Sequence, residues 1–150
     1  MADIKTPEER SLNMSRIKAK DTKPEIYIRK KLFERGYRYR KNYNQLVGHP
    51  DIWLSGYKTA IFVHGCFWHR HEGCRYSYMP KSRVEFWTDK FDRNIKRDKE
   101  VRWKMEQQGI RILVIWECTV NRMIKSESEE KNVLGKIESF LSSVESYREI

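Results

Sequence analysis

The chain has 150 residues, 39% of them hydrophobic, with five Trp, eight Tyr and six Phe; that is enough to bury a core without covalent staples and too apolar for a disordered tail. Charged residues make up 35%, the mean hydropathy is −0.84, and the longest apolar run, Ile112 to Trp116, cannot span a bilayer; Met1 to Arg16 mixes charges where a signal peptide would be apolar, so a cytoplasmic protein is expected. A formal net charge of +10 and a pI near 9.6 favour a polyanionic partner, nucleic acid ahead of an anionic membrane surface.

No repeat, low-complexity tract or linker divides residues 1–150, which read as one domain with a basic N-terminal helical arm over about 1–20. Thr6-Pro7-Glu8-Glu9 is a capping box with Pro at the first helical position and predicts a short helix to about Lys18. Thr22-Lys23-Pro24-Glu25 repeats the signal and predicts a second helix, with Ile28, Leu32 and Phe33 on its apolar side and Gly36 as its stop. Arg38 to Tyr43 alternates basic with aromatic and polar residues, as an exposed strand or DNA-facing loop would. Residues 50–54 and 59–64 are strand-like runs around a Gly56 turn, and folding the chain there sets Asp51 opposite Phe62 or Val63, with His64 adjacent. Ser82 opens a long helix to about Gln108, with Trp87, Phe91 and Ile95 at spacings of four and Gly109 as its stop. Ile110 to Cys118 reads as a central buried strand, and Glu127 to Tyr147 as an amphipathic helix with Val133, Ile137, Phe140, Leu141 and Val144 on one side. Trp53, Trp103 and Trp116 are assigned to the core. The order predicts an α/β layered fold with a mixed sheet. Charge is unevenly spread along it: residues 126–150 hold six acids against three bases, whereas residues 1–50 and 70–104 hold 13 and 11 bases, each against six acids.

Three cysteines exclude a complete disulfide framework, and their company matters more than their number. Cys66-x4-His71-x2-Cys74 puts three soft or borderline ligands on one loop, and Cys118 can reach the same point from the end of a neighbouring strand. Four such ligands close a tetrahedral site, and thiolates select zinc over magnesium; with no open position, that zinc would be structural. Without it, the segment 65–80 lacks the apolar residues to order itself. His64 and His69 are left over, with Asp51 across the hairpin from them. A carboxylate at a strand end beside a main-chain carbonyl suits magnesium, and two neutral imidazoles nearby can move protons or polarise a phosphate. Glu25 is a candidate fourth member, although capping alone explains it. Between Cys66 and His69 stand two large apolar rings, Phe67 and Trp68, which read as core or as rings that a metal on Cys66 would hold rigidly.

At these residues the sequence resembles the very short patch repair (Vsr) DNA mismatch endonucleases. The resemblance runs from Asn13-Met14-Ser15-Arg16-Ile17 to Trp116-Glu117-Cys118, through Pro50-Asp51, the block Phe62-Val63-His64-Gly65-Cys66-Phe67-Trp68-His69-Arg70-His71, Glu85-Phe86-Trp87, and Asn94 with Asp98. It implies a restriction-endonuclease-like (PD-(D/E)XK-type) mixed sheet flanked by helices, one structural zinc, and magnesium-dependent nicking 5′ to the thymine of a T:G mismatch left by deamination of 5-methylcytosine. Position by position, it implies that Asp51 and the main-chain carbonyl of Val63 hold magnesium. His64, His69 and Glu25 complete the catalytic group, Cys66, His71, Cys74 and Cys118 hold zinc, and Phe67, Trp68 and Trp87 intercalate beside the mismatch. Residue 63 is Val where members often carry Thr, which a main-chain ligand tolerates. The partners implied are mismatched double-stranded DNA and other mismatch-repair proteins, for a monomer at the bacterial nucleoid and no membrane. A nuclease of the same fold with another DNA or RNA target, and a zinc-stabilised DNA-binding module without catalysis, remain open on the residues alone.

Overall fold

The structure, a computed structural model, describes residues 20–150, so the predicted helix to Lys18 and the arm before Lys20 lie outside it. In chain order the elements are α1 (Lys23–Glu34), β1 (Arg40–Lys41), β2 (Ile52–Leu54), a 3-10 turn (Ser55–Tyr57), β3 (Thr59–His64), α2 (Val84–Gln107), β4 (Arg111–Trp116), α3 (Glu117–Lys125), α4 (Glu127–Ser142) and β5 (Tyr147–Glu149). The sheet order is β1-β2-β3-β4-β5, antiparallel from β1 to β3 and parallel from β3 to β5. This is the expected α/β fold with a mixed sheet. No helix among the described residues is long and apolar enough to cross a membrane.

Strand periodicity divides the core between the two faces of the sheet. Ile61 and Val63 of β3 and Leu113 and Ile115 of β4 pack with Ile28 and Leu32 of α1, Val120 and Met123 of α3, and Ile137 and Phe140 of α4. Ala60 and Phe62, with Ile112, Val114 and Trp116, point the other way and pack with Met105 of α2, Cys66 and Cys118. Burying each large apolar side chain contributes about 1.5–3 kcal/mol, so both layers are needed to hold the parallel pair in place. Glu130 and Glu138 of α4 pair with Lys31 and Arg35 of α1. The acidic C-terminal segment is therefore engaged by α1, on the layer away from α2.

The hairpin has the expected register, with Ile52 opposite Ile61 and Leu54 opposite Thr59. Its turn is longer than a two-residue turn at Gly56, since it closes on Lys58 in the left-handed conformation. α1 starts on the Thr22–Glu25 capping box and stops before Gly36, as the sequence predicts. β1 is an exposed edge strand.

Five details depart from the sequence-based expectation, the first being Phe33 of α1, which is 55% exposed beside buried Ile28 and Leu32. α2 begins with Arg83, not Ser82, at its N-cap, in a left-handed conformation (φ 55°). Trp103 is 61% exposed: the buried stripe of α2 runs through Trp87, Phe91 and Met105, and position 103 lies about 200° around the helix from Met105 at 100° per residue. β4 ends at Trp116, so that Glu117 and Cys118 open α3. The last helix stops at Ser142, leaving Val144 fully exposed, and the chain returns as β5 beside β4. That short strand carries little apolar pattern of its own; it is held by parallel pairing and by the Trp116 indole, which donates to Glu149 at 2.8 Å.

Candidate active site and metal-binding cluster

Both candidate centres sit at the C-terminal end of the β3–β4 pair, where open parallel sheets leave room for ligands. Asp51 directly precedes β2, and its Oδ2 accepts from the Val63 N–H at 2.7 Å. The loop before it is pinned by Gly48 (φ 79°), where a Cβ would stand 2.5 Å from Val101 Cγ1 of α2. Nothing in the sequence pattern marks that close approach.

Glu25 does more than cap. It is 3% exposed, and its Oε2 accepts from Asp21 N–H at 2.6 Å, Thr22 N–H at 3.3 Å and the Arg29 guanidinium at 3.0 Å. Arg29, itself buried, also grips Asp21 at 2.9 Å. The Glu25 carboxylate faces Asp51, and burial, reinforced by that neighbouring charge, pushes the Asp51 carboxyl up to about 7. Buried Glu25, held by Arg29, and half-buried Asp51 set two hard oxygen donors side by side, so the donor set fits a divalent cation.

His64 ends β3, and His69 follows on the loop; their rings stack at 3.8 Å between centroids, 5° from parallel. Burial and the facing His69 push His64 down to about 3, which keeps it a neutral imidazole. His69 Nδ1 lies 2.7 Å from Asp98 Oδ2 of α2. A carboxylate at that nitrogen selects the tautomer that leaves Nε2 free to accept a proton. In the sequence, Asp98 stands out by resemblance only and without a role. Asp98, Asn94, Phe91 and Trp87 follow one another at successive gaps of four, three and four residues, which places all of them on one helical stripe, a signal available in the sequence.

The second centre gathers Cys66, His71, Cys74 and Cys118, whose donor atoms lie within 4.8 Å of one another. Cys118 Sγ is 3.5 Å from His71 Nδ1, and the Cys118 N–H donates to Cys66 Sγ at 3.4 Å. Burial and the other thiols push Cys66 up to about 12, and burial lowers His71. Three thiols and a neutral imidazole turned toward one point could hold a metal ion, as the spacing predicts. Trp116 joins the two centres: His71 stacks on it at 4.1 Å and His64 meets its ring edge-on at 5.4 Å.

Beyond the cluster, Phe67 sits among Trp68, Tyr78, Trp87 and Phe91, with centroids 5.1–5.5 Å away. Phe67 and Trp68 are half-buried, whereas Trp87 is only 7% exposed and lies behind them. Asn94 of α2 donates to the Trp68 carbonyl at 3.0 Å. Tyr78 and Phe86 extend the exposed aromatic surface; Phe86 stands in the Glu85-Phe86-Trp87 motif, whereas no sequence pattern picked out Tyr78.

A facing pair of carboxylates, a neutral stacked imidazole and a histidine held by a carboxylate, on a strongly basic chain, are the equipment of a metal-assisted phosphodiester hydrolase. Comparison with known proteins agrees. Residues 2–75 match the family model described as DNA mismatch endonuclease Vsr. The type II nicking enzyme V.NmeAIP of Neisseria meningitidis is 48% identical over 118 residues, covering 79% of this chain and 84% of that protein. V.XorIIP of Xanthomonas oryzae, another type II nicking enzyme, is 37% identical over 134 residues, 89% of this chain and 98% of its own length. The DNA mismatch endonuclease Vsr of Escherichia coli is 36% identical over 129 residues, 86% and 82% of the two chains. The chain belongs to the Vsr family of DNA endonucleases.

Proposed function

We propose that this endonuclease nicks one strand of duplex DNA 5′ to the thymine of a T:G mismatch, with magnesium on Asp51 and the main-chain carbonyl of Val63, and zinc in the Cys66, His71, Cys74 and Cys118 cluster. The observation that carries the reading is the Asp51 carboxylate tied to Val63, next to the stacked His64 and His69 at one strand end. Magnesium, when bound, supplies charge stabilisation for the phosphate and lowers the pKa of an attacking water. Asp51 holds it, and Glu25, fixed by Arg29, adds negative charge behind Asp51. His69, aligned by Asp98, moves the proton at Nε2, and neutral His64 donates or accepts a hydrogen bond at the phosphate. The thiolate-rich donor set favours zinc in a structural role, because no position stays open.

Phe67 and Trp68, backed by Trp87, would enter the base stack. Unstacking a step costs about a few kcal/mol, and less at a wobble pair, so a wedge converts poor pairing into preference. The reading takes residues 1–150 as one endonuclease domain that lays its basic arm on DNA and acts as a monomer at the bacterial nucleoid, with other mismatch-repair proteins as further partners.

The test is a set of end-labelled duplexes differing at one pair, T:G, U:G, A:C or T:A, with randomised flanks and magnesium, mapped at nucleotide resolution. One nick 5′ to the mispaired thymine is expected. Five relatives, the first two reported above among them, are named type II nicking enzymes, which favours a second reading, nicking at a sequence without need of a mismatch. Equal cutting of T:A and T:G duplexes would decide for it.

Asp98→Asn probes the histidine. The amide can donate to Nδ1 and so trap the tautomer whose Nε2 carries a proton; nicking should fall by about 10²–10⁴-fold. Mismatch binding in EDTA should stay within about twofold of wild type, since Asp98 faces His69 and not the basic surface. Wild-type rates from this variant would remove His69 as the proton carrier.

A further inference from the structure

Arg70 occupies the left-handed region (φ 54°), which a residue with a Cβ adopts only when its surroundings compensate the strain. Here the side chain does so. Its Nη1 donates to the carbonyls of Phe67 at 3.2 Å and Tyr78 at 3.0 Å, and its Nη2 to that of Ser77 at 2.9 Å. The guanidinium carbon lies 3.8 Å over the Phe91 ring of α2 and 5.6 Å from the Phe67 ring. These contacts gather three separate pieces of chain: the tip at Phe67, the returning segment at Ser77 and Tyr78, and the long helix.

The loop is thus held from two sides. Cys66, His71 and Cys74 gather on the metal-binding side. On the other side, the carbonyls that face Arg70 belong to the segments that carry half-buried Phe67 and exposed Tyr78, so the guanidinium fixes the backbone from which Phe67 projects. Rigidity has a consequence for selection. A ring that cannot turn aside forces the DNA to unstack and so transmits the full difference between a paired and a mispaired step into binding. A ring that can fold back avoids unstacking, and the two duplexes then bind alike.

We propose that Arg70 is a positioning residue for mismatch selection: by clamping the Phe67, Ser77 and Tyr78 carbonyls and stacking on Phe91, it makes Phe67 and Trp68 a rigid wedge. This rests on the wedge reading given above. Lysine cannot replace it, because one ammonium on a flexible stem cannot bridge three carbonyls in a plane and stack on a ring as well. Glycine would relieve the backbone and remove every contact.

The test uses the full-length, metal-loaded protein with Arg70→Lys and Arg70→Gly. The ratio of kcat/KM for T:G over T:A duplexes should fall about tenfold or more in both. On a duplex already unstacked by a two-nucleotide bulge at the same step, kcat should stay within about threefold of wild type, because no wedge is needed there. Metal content should be unchanged. Fluorine NMR of 5-fluorotryptophan protein, with Trp68 assigned by Trp68→Phe, should show one sharp Trp68 resonance in the free wild type and a broadened or averaged one in both variants. Unchanged discrimination in the two variants would overturn the inference, as would loss of the metal from both, which would make Arg70 part of the metal fold. A wild-type protein that cuts T:G and T:A duplexes alike would overturn the wedge reading itself. The clamp is then judged by the Trp68 resonance alone, and equal sharpness in all three proteins overturns it.

Discussion

Asp51→Asn is expected to abolish nicking while making the metal-free protein more stable above neutral pH. The two effects share one cause. Burial and the facing Glu25 carboxylate raise Asp51 from an ordinary 3.8 to about 7, so ionised Asp51 is held in place against its environment. Between about pH 4 and pH 7 the folded chain binds more protons than the unfolded chain, so stability falls as pH rises through that window, and the whole penalty persists above it. A tenfold change in acidity corresponds to about 1.4 kcal/mol, which makes the loss of the order of a few kcal/mol. Asparagine resembles the protonated acid: its carbonyl can still accept from Val63 N–H and its amide can donate to Glu25. Wild type and variant should therefore melt together near pH 4–5 and diverge by pH 8 in EDTA, the variant melting higher. Magnesium should raise the melting temperature of wild type at pH 8 and leave that of the variant unmoved. Nicking should drop by on the order of 10³-fold or more, because charge stabilisation and water activation are lost together. Parallel melting curves across this pH range would show that Asp51 is not an acid held against its own ionisation, and normal cutting would remove it from the site.

Removing the proposed zinc should have the largest structural effect. Cys66 is fully buried and Cys118 nearly so, in the same apolar layer as Phe62, Val114 and Trp116. Losing the ion therefore strikes the ends of β3 and β4 as well as the loop. Structural zinc in small domains contributes about 10–16 kcal/mol, comparable with or larger than the total stability of a typical domain, about 5–15 kcal/mol. Cys118→Ser should lose zinc and cooperative melting together. Without the ion, Cys66 is pushed up to about 12, so it is a protonated thiol in the metal-free chain, and binding must expel its proton. Metal uptake should thus release protons to a weakly buffered indicator and weaken steeply as pH falls. The ion can be counted by elemental analysis of the purified protein and its release followed with a chromophoric chelator. A protein without zinc that keeps its melting temperature would make the cluster three buried thiols and a histidine, nothing more.

What the amino-acid sequence determined by itself follows from short-range geometry. The Thr22–Glu25 box and Gly36 bound α1 because capping chemistry is local. The two-residue period of β2 and β3 placed Asp51 beside Val63 once the turn between them was located, since register in a hairpin is set by counting. The cluster at 66, 71 and 74 was legible because metal ligands on one loop have characteristic spacing. The tertiary structure alone decided which distant groups these residues meet. Asp98 reaches His69 across 29 positions, and Glu25, capped and gripped within its own helix, faces Asp51 from another part of the chain. Arg70 looks in the sequence like one more basic residue on a basic surface, yet it binds three carbonyls and a ring. Trp103 and Val144, apolar in pattern, lie outside because the register of a long helix and the end of another put them there. Local spacing states what a residue can do, whereas a partner twenty or more residues away is selected by how the layers pack, and that depends on every side chain between them at once.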